Sequence, residues 1–325
     1  MDRLEKAVIK TIAYYEALGQ YPLTIIEICH YLQKEGLDQC RPTLNQVLRL
    51  LKVSLILKQY LDTTNGFFFL KNEFNFYQQR ISRQKIAIAK WRKIRRIATY
   101  LAFTPYLRGL AVSGSLSLNN AKPQSDLDFL IFTKEGRIWT CRTFLGILLQ
   151  LIGQRRHDQS VEGKVCLNQF IAQGHFEMEF QNISNPYLTI SNAHLYSRLV
   201  PLTDYENYRL FLKNNRWISC ALFFYPYLKD NNLHLLNKQG WLLKIGLLGA
   251  GFLELILDNS LSNYLEKKLA VWQTNRIQKK LGPNRPKQNE LYLSDTLLLF
   301  HYPICKNDEA AKAYRNKINI LAFDN

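Results

Sequence analysis

A short apolar run, Leu110-Ala111-Val112, ends in Ser113-Gly114-Ser115. Ten residues later the chain re-enters an apolar run as Asp126-Leu127-Asp128-Phe129-Leu130-Ile131-Phe132. No other stretch restricts the fold as strongly. It reads as a strand, a small-residue turn, a polar loop and a second strand. Residues two apart in a strand face the same side. The spacing therefore predicts that Asp126 and Asp128 project together while Leu127 points into a core. Two like charges side by side call for a cation. Mg²⁺ suits the place, because it is hard, takes oxygen ligands and leaves part of its shell to substrate phosphates. The Gly114-Ser115 turn presents backbone N–H groups with little side-chain bulk, a surface that can cradle phosphate oxygens. An ordinary hairpin closed by a surface Asp pair would carry the same letters.

Gly-Ser, a variable loop and Asp-x-Asp at the start of a strand resemble the DNA polymerase β-like nucleotidyltransferase superfamily, most closely its small bacterial members. The resemblance covers residues 108–135. It implies an α+β fold with a central mixed-sheet catalytic domain. It also implies Asp126 and Asp128 as catalytic metal ligands, Mg²⁺ as cofactor, and a nucleoside triphosphate seated on Gly114 and Ser115. Small members carry Arg-Gly soon after the turn, where this chain has Leu118-Asn119. Many members use a third carboxylate on a later strand. The best later strand here, Lys164–Ile171, carries Cys166 and Asn168, which puts Asn168 at the third-acid position. Two functions follow. One is a Mg²⁺-dependent nucleotidyltransferase that moves a nucleoside monophosphate from a triphosphate to an acceptor hydroxyl. The other is a catalytically inactive nucleotide- or nucleic-acid-binding module, which an amide at position 168 favours, since an amide cannot act as a base.

Charge is the second signal. A formal +17 and a pI near 9.6 favour an anionic partner. No acid lies between Glu73 and Asp126, an interval holding ten Lys or Arg. Eight of them fall between Arg80 and Arg96. Ala87, Trp91, Ile94, Ala98 and Leu101 recur there at helical spacing, which predicts a basic linker helix over 76–104 with one apolar stripe. Arg92, Lys93, Arg95 and Arg96 would then contact nucleic-acid phosphates; a merely solvated basic face is the other reading. Lys267 to Asn289 is a second acid-free stretch.

Residues 1–75 read as a separate unit. Leu4–Leu18 has an amphipathic helix pattern. Thr24 and Thr43 are N-cap candidates for Ile25–Leu32 and for a third helix from Leu44 to about Lys52. A strand over Leu55–Leu61 and the Asn65-Gly66 turn lead to Phe67-Phe68-Phe69-Leu70, a hairpin. Three helices and a hairpin resemble a winged helix-turn-helix, with Asn45, Arg49 and Lys52 facing outward, and that fold docks nucleic acid or protein.

Residues 105–184 are the expected catalytic domain. Arg137–Ile152 predicts an apolar helix packed on the sheet. Arg137 and Arg142 on it are nucleotide-binding candidates, as Arg forks for a triphosphate, or else solvated cations. His157 is a base candidate or a loop histidine. Glu177 and Glu179 would supply a missing carboxylate or line an exposed strand face. Residues 185–325 read as a helical C-terminal region, with helices at Tyr205–Leu212, Trp217–Tyr225, Trp241–Leu257 and Leu261–Lys280. Trp241–Leu257 contains Lys244 and Glu254 and is short for a membrane span, so a buried helix and no membrane partner are expected. Scattered cysteines and a polar N-terminus fit a cytoplasmic protein with reduced thiols.

Overall fold

Capping chemistry sets the N-terminal elements of the computed structural model, which describes residues 1–34, 41–71, 76–156, 161–178, 185–223, 235–236, 240–281, 291–300 and 306–321. Helix α1 spans Arg3–Gly19. Thr24 caps α2 (Ile25–Tyr31), accepting from Glu27 N at 3.3 Å while Glu27 Oε2 accepts from Thr24 N at 2.9 Å. Thr43 and Gln46 repeat the reciprocal cap on α3 (Leu44–Val53). Asn45, Arg49 and Lys52 on α3 are exposed. The segment expected as a strand over Leu55–Leu61 folds instead as α4 (Leu55–Tyr60). Ser54 caps it: its hydroxyl accepts from Leu57 N at 3.0 Å and donates to Glu5 Oε1 at 2.5 Å. The hairpin begins only at Leu61, with β2 (Leu61–Thr64) and β3 (Phe67–Leu70). Asn65 and Gly66 both hold positive φ, at 52° and 79°, as a type I′ turn demands. The two-residue β1 (Leu23–Thr24) pairs with the other edge of β3.

The rest of the chain is α+β around a mixed sheet of six strands. Helix α5 (Tyr77–Leu101) leads into β4 (Leu107–Val112), the single turn α6 (Gly114–Ser117), β5 (Leu127–Thr133), α7 (Ile138–Leu151) and β6 (Val165–Ala172). Then come α8 (Pro186–Ser197), β7 (Val200–Thr203), α9 (Tyr205–Asn214), α10 (Ile218–Ala221), α11 (Trp241–Leu257), α12 (Ser260–Leu281), β8 (Tyr292–Leu293), β9 (Leu297–Leu299) and α13 (Lys306–Ile320). The strands lie in the order β7-β4-β5-β6-β9-β8, and of these described strands β5 and β6, joined by the α7 crossover, pair in parallel. The sheet takes β7, β8 and β9 from beyond residue 184, so the region read as helical completes the sheet. Leu127, Phe129 and Ile131 pack with α5 and α7 on one face. Leu130, Phe132 and Ile171 pack with α8 and α9 on the other.

The basic helix forms, and its apolar stripe is buried as the spacing predicts. Its cations do not form one surface. Arg80, Arg83 and Lys90 are buried. Arg80 pairs with Glu27 at 2.6 Å, so the stretch without sequence-neighbouring acids still meets one in space. Arg83 donates to Gly19 O at 2.6 Å and Asn120 Oδ1 at 3.2 Å. Lys90 donates to the carbonyls of Pro123, at 2.9 Å, and Ser125. Lys85, Arg92, Arg95 and Arg96 are exposed, and Lys93 is half-buried. Helix α11 has the expected bounds but buries only Leu243, Gly246 and Ala250. Among the described residues no helix is long and apolar enough to cross a membrane.

Candidate metal and nucleotide site

The strand pairing decides which residues meet at one end of the sheet. β4 ends there, β5 and β6 begin there, and β7 begins there beside Val112. Asp126 precedes β5 and Asp128 is its second residue. Asp128 pairs across the parallel ladder with Cys166. One ligand atom from each of Asp126, Asp128 and Cys166 lies within 4.8 Å of the others. Past Asp128 the register slips: two residues of β5 oppose three of β6, so β6 carries a bulge. The bulge region holds Asn168, whose Nδ2 donates to Asp128 Oδ1 at 2.5 Å, while the Cys166 thiol donates to Asn168 Oδ1 at 2.6 Å. The structure thus places Asn168 directly on the Asp pair.

The Ser113-Gly114 turn closes over the same carboxylate. Ser113 N donates to Asp128 O at 3.0 Å. Gly114 holds φ +70°, and a Cβ built on it would stand 2.5 Å from Asp128 Oδ2. Only glycine permits this approach. Ser115 sits half-buried in α6, its carbonyl accepting from Asn120 N at 2.9 Å. The intervening loop is fastened from behind by α5. Trp91 Nε1 donates to Asn119 Oδ1 at 2.7 Å, Arg83 holds Asn120, and Lys90 holds the carbonyls before Asp126.

Arg156 faces the pair. Its Nη1 donates to Asp126 Oδ2 at 2.5 Å and to Cys166 Sγ at 3.3 Å. The pairing side chains are partly covered, 33% exposed for Arg156 and 14% for Asp126. Burial, with Asp128 beside it, pushes the Cys166 thiol up to about 11, although Arg156 opposes this.

Arg137 and Arg142 lie elsewhere. β5 carries the chain away from the Asp pair, and roughly 17 Å of extended strand separates Asp128 from Thr133 at about 3.3 Å per residue. Arg137 follows that far end. Its guanidinium donates to Gly136 O, to Asn263 Oδ1 and to Ser262 Oγ, each at 2.8 Å. Arg142 is on α7, on the face of the sheet opposite the Asp128 side chain. Its guanidinium lies 4.4 Å from the Phe300 ring centroid and donates to Gln273 Oε1. Lys93 leans on the loop after α7, its Nζ 3.1 Å from the Cβ position of Gly163. Glu177 is exposed and makes no contact with the Asp pair among the described residues. His157 and Glu179 lie outside the described residues.

Sequence reasoning missed Arg156 and Lys90. A parallel β5–α7–β6 crossover returns the chain to the end of the sheet it left. The residues just before β6 therefore land beside the start of β5, which singles out the Arg155-Arg156 pair. No local signal marks Lys90; its role depends on the docking of α5. Comparison with family models, curated proteins and solved structures gives no match for this chain.

Proposed function

We propose that the chain is a metal-dependent nucleotidyltransferase of the DNA polymerase β-like kind. One observation carries this reading: a glycine turn with its backbone against the carboxylate of an Asp-x-Asp pair, both at the same sheet end. The donors suit a hard cation, since Asp126 and Asp128 offer carboxylate oxygens and Asn168, bonded to Asp128, an amide. Asp126 and Asp128 would hold Mg²⁺. When bound, the ion supplies charge neutralisation of the triphosphate and Lewis acidity at its α-phosphate. Gly114 and Ser115 bring N–H groups to the phosphates without side-chain obstruction. Asn168 orients Asp128 through its amide and leaves proton removal from the acceptor hydroxyl to another group. Arg156 holds Asp126 and must yield that oxygen, or share it, as the metal enters.

Asn168 and the Arg156–Asp126 pair favour a second reading, a nucleotide-binding module without turnover. Incubation of the protein with each labelled nucleoside triphosphate and Mg²⁺ or Mn²⁺ separates the two. Pyrophosphate release with label transfer, lost in Asp126→Asn and Asp128→Asn, supports the enzyme. Metal-dependent binding without release supports the module. Folded Asp variants that bind triphosphate undiminished refute both.

We read the N-terminal unit as winged-helix-like. The support is α1, α2 and α3, then the short α4 and the β2–β3 hairpin, with sheet order β1-β3-β2 and an outward Asn45, Arg49 and Lys52. Nucleic acid is the proposed polyanionic partner. It rests on exposed Arg92, Arg95 and Arg96 with Lys93 beside them.

A further inference from the structure

Helices α11 and α12 follow one another in the chain, joined through Asp258 and Asn259, and pack on α5 and α7 respectively. Each buries one side against the body. Gly246 of α11 meets Ala102 and Phe103 after α5, its Cβ position 3.1 Å from Ala102 Cβ. Glu254 of α11 pairs with Arg108 at 2.7 Å. Glu266 of α12 accepts from Trp139 N at 2.7 Å and Thr140 N at 2.9 Å, capping the first turn of α7. Among the described residues the opposite side of α11 is apolar and uncovered, and that of α12 is uncovered and mixes aromatic with basic residues. On α11, Trp241, Ile245, Leu248, Phe252 and Leu255 recur at alternating spacings of four and three. Trp241, Leu248 and Leu255 are more than 70% exposed. On α12, Leu261, Tyr264 and Trp272 are exposed by half or more. Isolated exposed apolar residues are ordinary, but a continuous stripe marks an interaction surface.

The charges on this surface have one sign. Lys244, Lys267, Lys268 and Arg276 are exposed among the apolar residues. Lys268 stands over the Tyr264 ring at 5.3 Å and Arg276 over Trp272 at 5.5 Å. The acids of the two helices are engaged inward, Glu254 with Arg108 and Glu266 with the α7 backbone, and Asp258 between them pairs with Lys134. Aromatic rings beside lysine and arginine, with no free acid, are the make-up of a surface that lies in the boundary of an anionic bilayer. A two-fold contact with a second copy would set like charges against like.

From this we infer that the outer sides of α11 and α12 are a monotopic membrane-docking surface, seating Trp241, Leu248 and Phe252 among the lipids of an anionic bilayer while Lys267 and Lys268 meet the headgroups. This goes beyond the proposed catalytic chemistry and does not depend on it. It also departs from the sequence expectation of no membrane partner, because α11 was expected to be buried all round.

Co-sedimentation of the full chain with phosphatidylcholine vesicles, with and without about one third phosphatidylglycerol, tests it. The protein should sediment with the anionic vesicles, far less with the neutral ones, and less as salt rises. Lys267→Gln and Lys268→Gln should each weaken anionic binding about fivefold. Leu248→Glu with Phe252→Glu should weaken it at least about tenfold, with the thermal unfolding of the protein unchanged. Emission of Trp241, isolated by comparison with Trp241→Phe, should shift to the blue on vesicle binding. Absence of binding at low salt overturns the inference. So does undiminished binding by the folded double-Glu variant. A concentration-dependent dimer that the double-Glu variant abolishes would assign the face to a second copy instead.

Discussion

Replacing Gly114 by alanine probes the closest approach in the site, and two costs separate cleanly. The first is conformational. At φ +70° an L-residue is in left-handed space, which costs about 1–2 kcal/mol. The second is contact. A Cβ at 2.5 Å from Asp128 Oδ2 must gain about 0.9 Å to reach the ordinary 3.4 Å. Moving the carboxylate takes its side chain off a rotamer, at about 0.5–1.5 kcal/mol. It also loosens the Asn168 hydrogen bond, of a charged type contributing about 1.5–3 kcal/mol. Gly136 is the internal control, because it holds φ +67° and has nothing within 4 Å of its Cβ position. Gly136→Ala therefore carries the first cost alone. In urea unfolding Gly114→Ala should lose about 2–4 kcal/mol more than Gly136→Ala. In an Asp128→Ala background the difference should collapse to within about 0.5 kcal/mol. Mn²⁺ affinity should fall in Gly114→Ala and stay unchanged in Gly136→Ala. Equal destabilisation by the two alanines would refute the reasoning.

Lys90→Met keeps the stem in the core but leaves the Pro123 and Ser125 carbonyls without their donor; it should cost about 1–3 kcal/mol in urea unfolding and weaken Mn²⁺ binding, whereas Arg92→Gln should do neither. Arg156→Gln releases Asp126 and should strengthen Mn²⁺ binding measured by calorimetry, while Arg137→Gln, at the far end of β5, should leave it unchanged. Burial lowers the pKa of His194 well below its ordinary value, helped by Arg198, and burial lowers His30 to about 4. The unfolded chain takes up these protons below about pH 6.5 and the folded chain does not, so stability is lost as pH falls. Two such groups cost together about 4 kcal/mol between about pH 7 and about pH 5 in urea titrations, and His194→Gln should flatten that slope. Replacing Arg92, Lys93, Arg95 and Arg96 by Gln should weaken binding to unrelated RNAs and DNAs alike and flatten the salt dependence by roughly one logarithmic unit per lost phosphate contact per tenfold salt; a wild type that binds no nucleic acid at low salt removes nucleic acid as partner.

What the sequence made legible is what local chemistry controls. The Thr24 and Thr43 caps act within three residues, and the Asn65-Gly66 turn acts within two. The alternation around Asp126-Leu127-Asp128 sorts side chains to two faces of one strand. These signals survive folding because their partners are sequence neighbours. The errors came where the deciding partner is distant. Leu55–Tyr60 reads apolar enough for a strand, yet Ser54 caps it and Glu5, on α1, holds that serine. Val200–Thr203 carries no strong strand pattern and becomes one because β4 offers it an edge. Arg137 is near Asp128 in sequence but β5 carries it to the far end, while Arg156, further along the chain, is brought back by the crossover. For a βαβ unit, topology rather than sequence distance places a loop residue at the site.

The same distinction governs how the net charge of +17 should be used. A count of lysines and arginines treats every cation as part of an electrostatic footprint. On α5, Arg80, Arg83 and Lys90 are buried and bonded to Glu27, to Gly19 and Asn120, and to the loop before Asp126. They link the N-terminal unit to the loop before Asp126 and present no charge to a partner; removing one would leave buried acceptors unsatisfied rather than weaken an encounter. The cations that remain outside fall into two groups of different company. Arg92, Arg95 and Arg96 stand on a helix with no large exposed apolar residue between Ile88 and Tyr100, which suits a hydrated phosphate chain. Lys267, Lys268 and Arg276 stand among Tyr264, Val271 and Trp272, which suits a surface that is charged outside and apolar within. The two proposed polyanions, nucleic acid and an anionic bilayer, are thus told apart by the apolar neighbours of the two basic faces and not by their charge.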